Sequence, residues 1–249
     1  MSVENTLKNR TNISFFRNDR IPEKKLIQEI LSQAHELTPH KNNFWHYEIE
    51  VYGPEHDEEK KYATLATVCS EAKSKYTDPK ATPADFEELK KIYEVWLESH
   101  DDKKTKKEFN QIKNKLDKIH FNNQVRAPYL LVYTKKQELL TQSQKESDYY
   151  KNGKIKSLFN VKEPTSMWLI QAGMHSIITS ALAVEKGLDA SFCKCYFYNT
   201  NIHSNILRKA STGSNNIAFL LGLGFKDEVK YQYKSHVPKP NLDEIVKWV

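Results

Sequence analysis

From Pro22 onward, apolar residues recur at three- and four-residue spacing. Leu26, Ile27, Ile30, Leu31, Ala34 and Leu37 form one stripe, which predicts an amphipathic helix. Thr38-Pro39 ends it, because a residue before proline is pushed out of helical geometry. A polar stretch, Pro39 to Asn43, reads as a turn. Trp45, Tyr47, Ile49 and Val51 then alternate with His46, Glu48 and Glu50, the pattern of a half-buried strand with its polar residues facing out.

Residues 54–122 show helical spacing throughout, with a charge run from Asp101 to Lys107 that suits a solvated connection between helices. Tyr129 to Tyr133 is a short unbroken apolar run after Ala127-Pro128, which predicts a strand buried on both faces. The polar stretch 135–162 predicts a helix followed by a loop around Asn152-Gly153. The most apolar segment starts at Pro164 and stops at Gly187 in the manner of a glycine C-cap. Being apolar nearly all round, it is expected to be a central buried helix. Ala190 to Tyr198 and Ile217 to Phe225 read as strands, and glycines in the second signal close backbone approach. The order mixes helices and strands without a regular βαβ rhythm, which argues against a doubly wound sheet or a (β/α)8 barrel. There is no internal repeat.

At 249 residues the chain is long enough to bury a core without disulfide or metal support. No run approaches the roughly 18 apolar residues of a membrane span, and Met1 to Arg10 lacks the apolar stretch of a secretory signal. No membrane association is therefore expected. Cys69, Cys193 and Cys195 are an odd set, which points to a reducing compartment, the cytoplasm.

The net charge of +6 comes from 38 basic and 32 acidic residues, but only five of the basic ones are Arg. Nucleic-acid readers use Arg for bidentate contacts and interleave it with aromatics. The basic excess is read instead as a Lys-rich, soluble surface, with no nucleic-acid partner.

Few residues declare chemistry by themselves. Arg10-Thr11-Asn12-Ile13-Ser14 sets a cation beside hydrogen-bonding side chains, as an anionic phosphate requires; the plainer alternative is an ordinary segment with a surface Arg. His40-Lys41-Asn42-Asn43 offers donors and amides to a polar ring edge, or is simply a turn. Cys193 and Cys195 would share one face of a strand. With His203 the only further ligand nearby, they are read as buried thiols and no metal is expected. His175, set among apolar neighbours, is read as a core histidine with a backbone partner. There is no nucleophile elbow, no phosphate-binding P-loop and no complete dinucleotide fingerprint after Gly222-Leu-Gly224.

Taken in order, the segments resemble the nitroreductase family of FMN-dependent oxidoreductases. Arg10-Thr-Asn-Ile-Ser-Phe-Phe16 is similar to the family's basic opening motif, and Pro22-Glu-Lys-Lys-Leu-Ile-Gln-Glu-Ile-Leu31 to the helix after it. Thr38-Pro-His-Lys-Asn-Asn-Phe-Trp45 looks like a shortened form of its flavin-contacting turn. Ala127-Pro-Tyr-Leu-Leu-Val-Tyr133, Ala172 to Leu188, Leu221-Gly-Leu-Gly-Phe225 and Pro238-Lys-Pro-Asn-Leu-Asp-Glu-Ile-Val-Lys-Trp248 resemble later family segments. The resemblance omits about 54–122 and 135–162. It implies one α+β domain over 1–249, a three-layer fold with a mixed, mainly antiparallel central sheet between helices, carrying a helical insertion at about 54–122.

The resemblance also implies FMN as cofactor, NAD(P)H as reductant, a small-molecule electron acceptor and a homodimer with flavin at the subunit interface. Residue by residue, the phosphate contacts fall on Arg10 and Asn12, with Thr11 and Ser14 at the other motif positions, and a C-terminal basic contact on Lys239. The flavin-contacting turn falls on Pro39, His40, Lys41 and Asn42. The strand near the reactive flavin nitrogen falls by Cys193, Lys194 and Cys195. The chain departs from the family pattern where Thr11 and Ser14 replace basic residues, where His40 replaces Ser, and where the Gln-Pro pair before Trp45 is missing. Those departures leave a second expectation, a flavin-free binding or structural protein on the same fold.

Overall fold

The computed structural model describes residues 3–9, 13, 15–17, 19–40, 45–56, 60, 127–136, 142–152, 167–193, 217–228 and 240–246. Along the chain these form α1 (Val3–Asn9), α2 (Lys24–Leu37), β1 (Tyr47–Tyr52), β2 (Tyr129–Lys135), α3 (Gln142–Glu146), α4 (Asp148–Lys151), α5 (Met167–Glu185), β3 (Asp189–Cys193), β4 (Ile217–Gly224) and α6 (Leu242–Ile245). Most of the expected insertion, the later part of the 135–162 stretch and the end of the strand expected after Ala190 lie outside the described residues.

The four strands make one sheet in the order β1-β2-β4-β3, and every described pairing is antiparallel. The α+β class expected from the sequence is the observed one. β2 sits inside the sheet, and Tyr129 to Thr134 are all buried. This is why its sequence is a continuous apolar run and not an alternation. Tyr47, Tyr133, Phe219 and Phe192 form an aromatic row across all four strands, with neighbouring centroids at 6.0, 4.6 and 5.7 Å.

α2 and α5 pack over that row. Ile27 and Ile30 of α2, and Trp168, Ala172 and Ala183 of α5, close one hydrophobic core with Leu131, Leu221 and Leu223 of the sheet. α2 ends as its sequence predicts: Thr38 turns extended, and both its N–H and its hydroxyl donate to the carbonyl of Ala34. α5 ends at Gly187, whose φ of 79° is the left-handed geometry that glycine tolerates. In β4, a Cβ at Gly224 would lie 2.6 Å from Pro128 Cδ and 2.9 Å from Phe16 Cδ1, so the close approach signalled by its glycines is real there.

Two expectations are corrected. β1 does not keep its polar residues out: Glu50 is buried and accepts a hydrogen bond from the Tyr52 hydroxyl at 2.7 Å, while Val51 is exposed. A local partner made burial of the carboxylate affordable. α5, expected to be buried all round, is buried along one face only. That inner face carries Gln171, His175, Ser176, Thr179 and Ser180, and the exposed apolar residues are Leu169, Ile170 and Ile177. Helical side chains satisfy much of the inner polarity: Thr179 donates to the carbonyl of His175 and Ser180 to that of Ser176, each at 2.9 Å. By length and composition α5 could cross a membrane, contrary to the expectation that no segment could. Its polar side chains, however, are packed inside the protein, as in a core helix.

Candidate functional site

Two groups of residues emerge, one at each edge of the described sheet. The first gathers where α2 hands over to β1. The His40 ring follows the end of α2, and its Nδ1 lies 2.7 Å from the Thr38 carbonyl. A carbonyl can only accept, so Nδ1 carries the proton and donates. Trp45, at the entry to β1, has two imidazoles against its ring: His35 of α2 at 4.1 Å between centroids and His40 at 3.3 Å. Tyr47 continues the group, 6.4 Å from His40 and 5.6 Å from Trp45. Leu31, His35, Trp45, Tyr47, Ile49 and His175 line a cleft of about 260 Å³ between α2, α5 and β1.

Burial, and then the neighbouring imidazoles His35 and His46, outweigh the Thr38 carbonyl and hold His40 below the ordinary histidine value. Its Nε2 is buried and has no hydrogen-bond partner among the described residues, as is the hydroxyl of Tyr47. Burial pushes the Tyr47 hydroxyl far above the usual tyrosine range, so it stays protonated.

Behind this group lies a polar seam between α5 and the sheet. Gln171 Oε1 accepts from the backbone N–H of His46 at 3.0 Å and from its ring Nδ1 at 2.9 Å. The Tyr133 hydroxyl lies 3.0 Å from His175 Nδ1, within hydrogen-bonding distance, with the Thr179 hydroxyl 3.2 Å from the same nitrogen. Burial lowers the His175 pKa to about 4, so the ring is neutral at physiological pH. His175 is thus a core histidine, as expected, and its ring partners among the described residues are the side chains of Tyr133 and Thr179. Nothing in the sequence pairs Tyr133 with His175 or His46 with Gln171, since 42 and 125 residues separate them.

The second group lies at the β3 edge. Ile13, inside the basic opening motif, donates its N–H to the Ala190 carbonyl at 3.4 Å, and its own carbonyl accepts from the Ser191 hydroxyl at 2.6 Å. The next residues continue along the end of β4: Arg17 N–H donates to the Phe225 carbonyl, and Asp227 N–H to that of Phe15. Cys193 ends β3, buried, and forms no disulfide. Asp189 opens β3 and accepts from the Lys226 N–H at 3.1 Å, while burial raises its pKa. Among the described residues no cluster of His, Cys, Asp or Glu could hold a metal ion.

Of the residues that the resemblance assigns to the cofactor, Pro39, His40 and Cys193 are described. Arg10, Thr11, Asn12, Ser14, Lys41, Asn42, Lys194, Cys195 and Lys239 lie outside the described residues. The hydrogen bonds of Ile13 tie the centre of the opening motif to the strand of Cys193. The turn of Pro39 and His40 is not brought to them. It belongs to the β1 edge, three strand spacings away, or about 14 Å.

The sequence matches no protein-family model and none of the curated proteins. Solved structures do match along the whole chain. The FMN and NADPH-dependent nitroreductase NfnB from Sphigopyxis sp. strain HMH is 17% identical, with a TM-score of 0.56 over 100% of this chain and 99% of that one. A nitroreductase family protein from Streptococcus pneumoniae TIGR4 is 13% identical, with a TM-score of 0.56 over 100% of both chains. A protein described as a nitroreductase from Exiguobacterium sibiricum 255-15, solved in complex with FMN, is 15% identical, with a TM-score of 0.55 over 100% of this chain and 98% of that one. The chain therefore has the nitroreductase fold.

Proposed function

We propose that the protein is an FMN-dependent oxidoreductase that passes reducing equivalents from NAD(P)H to an electron-poor small molecule of the nitroaromatic, quinone or enone class. The observation that carries this reading is the full-length likeness to nitroreductase structures, one of them solved with FMN. Bound flavin would supply the hydride and electron chemistry, which suits a sequence that shows no nucleophile elbow. The acceptor on His40, buried and without a partner among the described residues, fits such a group, because a ligand donor would satisfy it.

The chain's own residues would bind and orient. Arg10 and Lys239 would neutralise the phosphate, with Thr11, Asn12 and Ser14 adding neutral hydrogen bonds. Pro39, His40, Lys41 and Asn42 would line the ring, and Lys41 would stabilise negative charge gathering on it during reduction. Cys193 and Lys194 would flank its reactive side.

The two groups at opposite sheet edges support a homodimer. A site that needs both is completed when one protomer's β1 edge meets its partner's β3 edge, as a two-fold axis permits. The exposed apolar residues of α5, with Ile170 53% accessible, support the same assembly, since a stripe of this kind ordinarily marks an interface. The protein is proposed to work in the cytoplasm without a nucleic-acid or membrane partner.

The experiment is an absorbance spectrum of purified protein with and without added FMN, followed by anaerobic NAD(P)H. Flavin bands that co-purify or appear on addition, and bleach with NAD(P)H, are expected. A colourless protein that leaves added FMN unperturbed would instead be a binding or structural protein on this fold.

A further inference from the structure

We propose that His40 Nε2 accepts the ring N–H of the flavin, which makes His40 the residue that distinguishes a flavin with a free imide edge from one without. This rests on the flavin reading above and adds a specific atom and its partner to it.

The 2.7 Å contact of Nδ1 with the Thr38 carbonyl places the proton on Nδ1 and leaves Nε2 as a lone pair. His40 also stays neutral near pH 7, because burial and the nearby His35 and His46 disfavour its cation. A neutral ring in this tautomer offers an acceptor at Nε2 and no donor. That acceptor is buried and unpartnered among the described residues. An acceptor buried without a partner keeps its full desolvation penalty, which a donor brought by a ligand would relieve.

The oxidised isoalloxazine ring carries a single N–H, at N3 between two carbonyls. A serine at this position, as in the family pattern, could donate or accept. A histidine fixed in this tautomer can only accept, so it selects the N3–H. Contact of the imidazole with Trp45, at 3.3 Å between centroids, restricts its rotation and holds that choice in place.

The competing arrangement is a water that accepts from the Tyr47 hydroxyl and donates to His40 Nε2, satisfying both unpartnered groups. The ribityl hydroxyls of FMN are another source of donors. The proposal is separated from both by titrating the protein with FMN and with 3-methyl-FMN, which lacks the N3–H, and following flavin fluorescence. We expect the unaltered protein to bind 3-methyl-FMN ~10-fold or more weakly than FMN. His40→Ala should bind the two flavins within twofold of each other, and His40→Gln, which restores an acceptor, should recover part of the preference. Equal binding of both flavins by the unaltered protein would overturn the proposal, as would an undiminished preference in His40→Ala. Because the first comparison uses no variant, it stands even if a substitution disturbs folding. Failure of every form to bind FMN would overturn the flavin reading as a whole, a result distinct from loss of discrimination.

Discussion

The Ser191 hydroxyl donates to the carbonyl of Ile13 across 2.6 Å, tying the basic opening motif to the β3 edge. Ser191 is fully buried, and so is Ile13. Ser191→Ala removes a buried hydrogen bond to that carbonyl and should cost about 0.5–1.5 kcal/mol of stability. Urea unfolding checks this. If the motif helps to hold phosphate, the same substitution should also weaken FMN binding. An unchanged midpoint would show that the contact does not anchor the segment.

His175 gives the stability a defined pH dependence. Its folded pKa is about 4, against about 6.5 in an unfolded chain. Between these values the unfolded state binds the extra proton, so stability is present above about pH 6.5 and falls as pH drops toward 4. The full loss is about 3 kcal/mol. His175→Gln should flatten this part of the profile, measured as unfolding midpoint against pH. An equally steep decline in the variant would assign the effect to other groups.

The two tyrosines that meet near His175 should respond in opposite ways. Tyr133→Phe removes a hydroxyl bonded to His175 and should destabilise by about 1–3 kcal/mol. Tyr47→Phe removes a hydroxyl with no partner among the described residues and should be neutral or stabilising. Thermal unfolding of both variants checks the contrast, and a large loss for Tyr47→Phe would reveal a partner for that hydroxyl.

The glycines also divide. A Cβ at Gly224 meets Pro128 and Phe16 at under 3 Å, whereas at Gly173 nothing lies within 4 Å. Gly224→Ala should cost about 1–3 kcal/mol through overpacking. In the isolated chain, Gly173→Ala should gain about 0.5–1 kcal/mol from helix propensity. If the open face of α5 is a subunit interface, that gain should shrink or reverse at concentrations where the dimer forms, which unfolding at two protein concentrations would detect.

The elements whose burial follows a simple period were legible in the sequence. The α2 stripe, its stop at Thr38, the apolar run of β2 and the glycine after α5 all follow from local chemistry. The inner face of α5 was not, because hydropathy describes how apolar a helix is but not which of its sides faces inward. Polar residues occupy the buried side there, where partners such as Tyr133 and His46 come from distant parts of the chain. Glu50 was misassigned for a related reason: alternation implies exposure, while the nearby Tyr52 hydroxyl permits burial. For the site, His40 could be singled out by its place in a turn, but its tautomer and unpaired Nε2 depend on the fold. The separation of His40 from Ile13 depends on strand order, which no local pattern encodes.

The most direct test of the account is a fluorescence titration of FMN with purified protein and with Arg10→Ala. The account predicts saturable quenching at one FMN per chain, weakened in the variant by about 1.5–3 kcal/mol, as expected for loss of a charged hydrogen bond. Flavin fluorescence that stays at its free value in excess protein would contradict it.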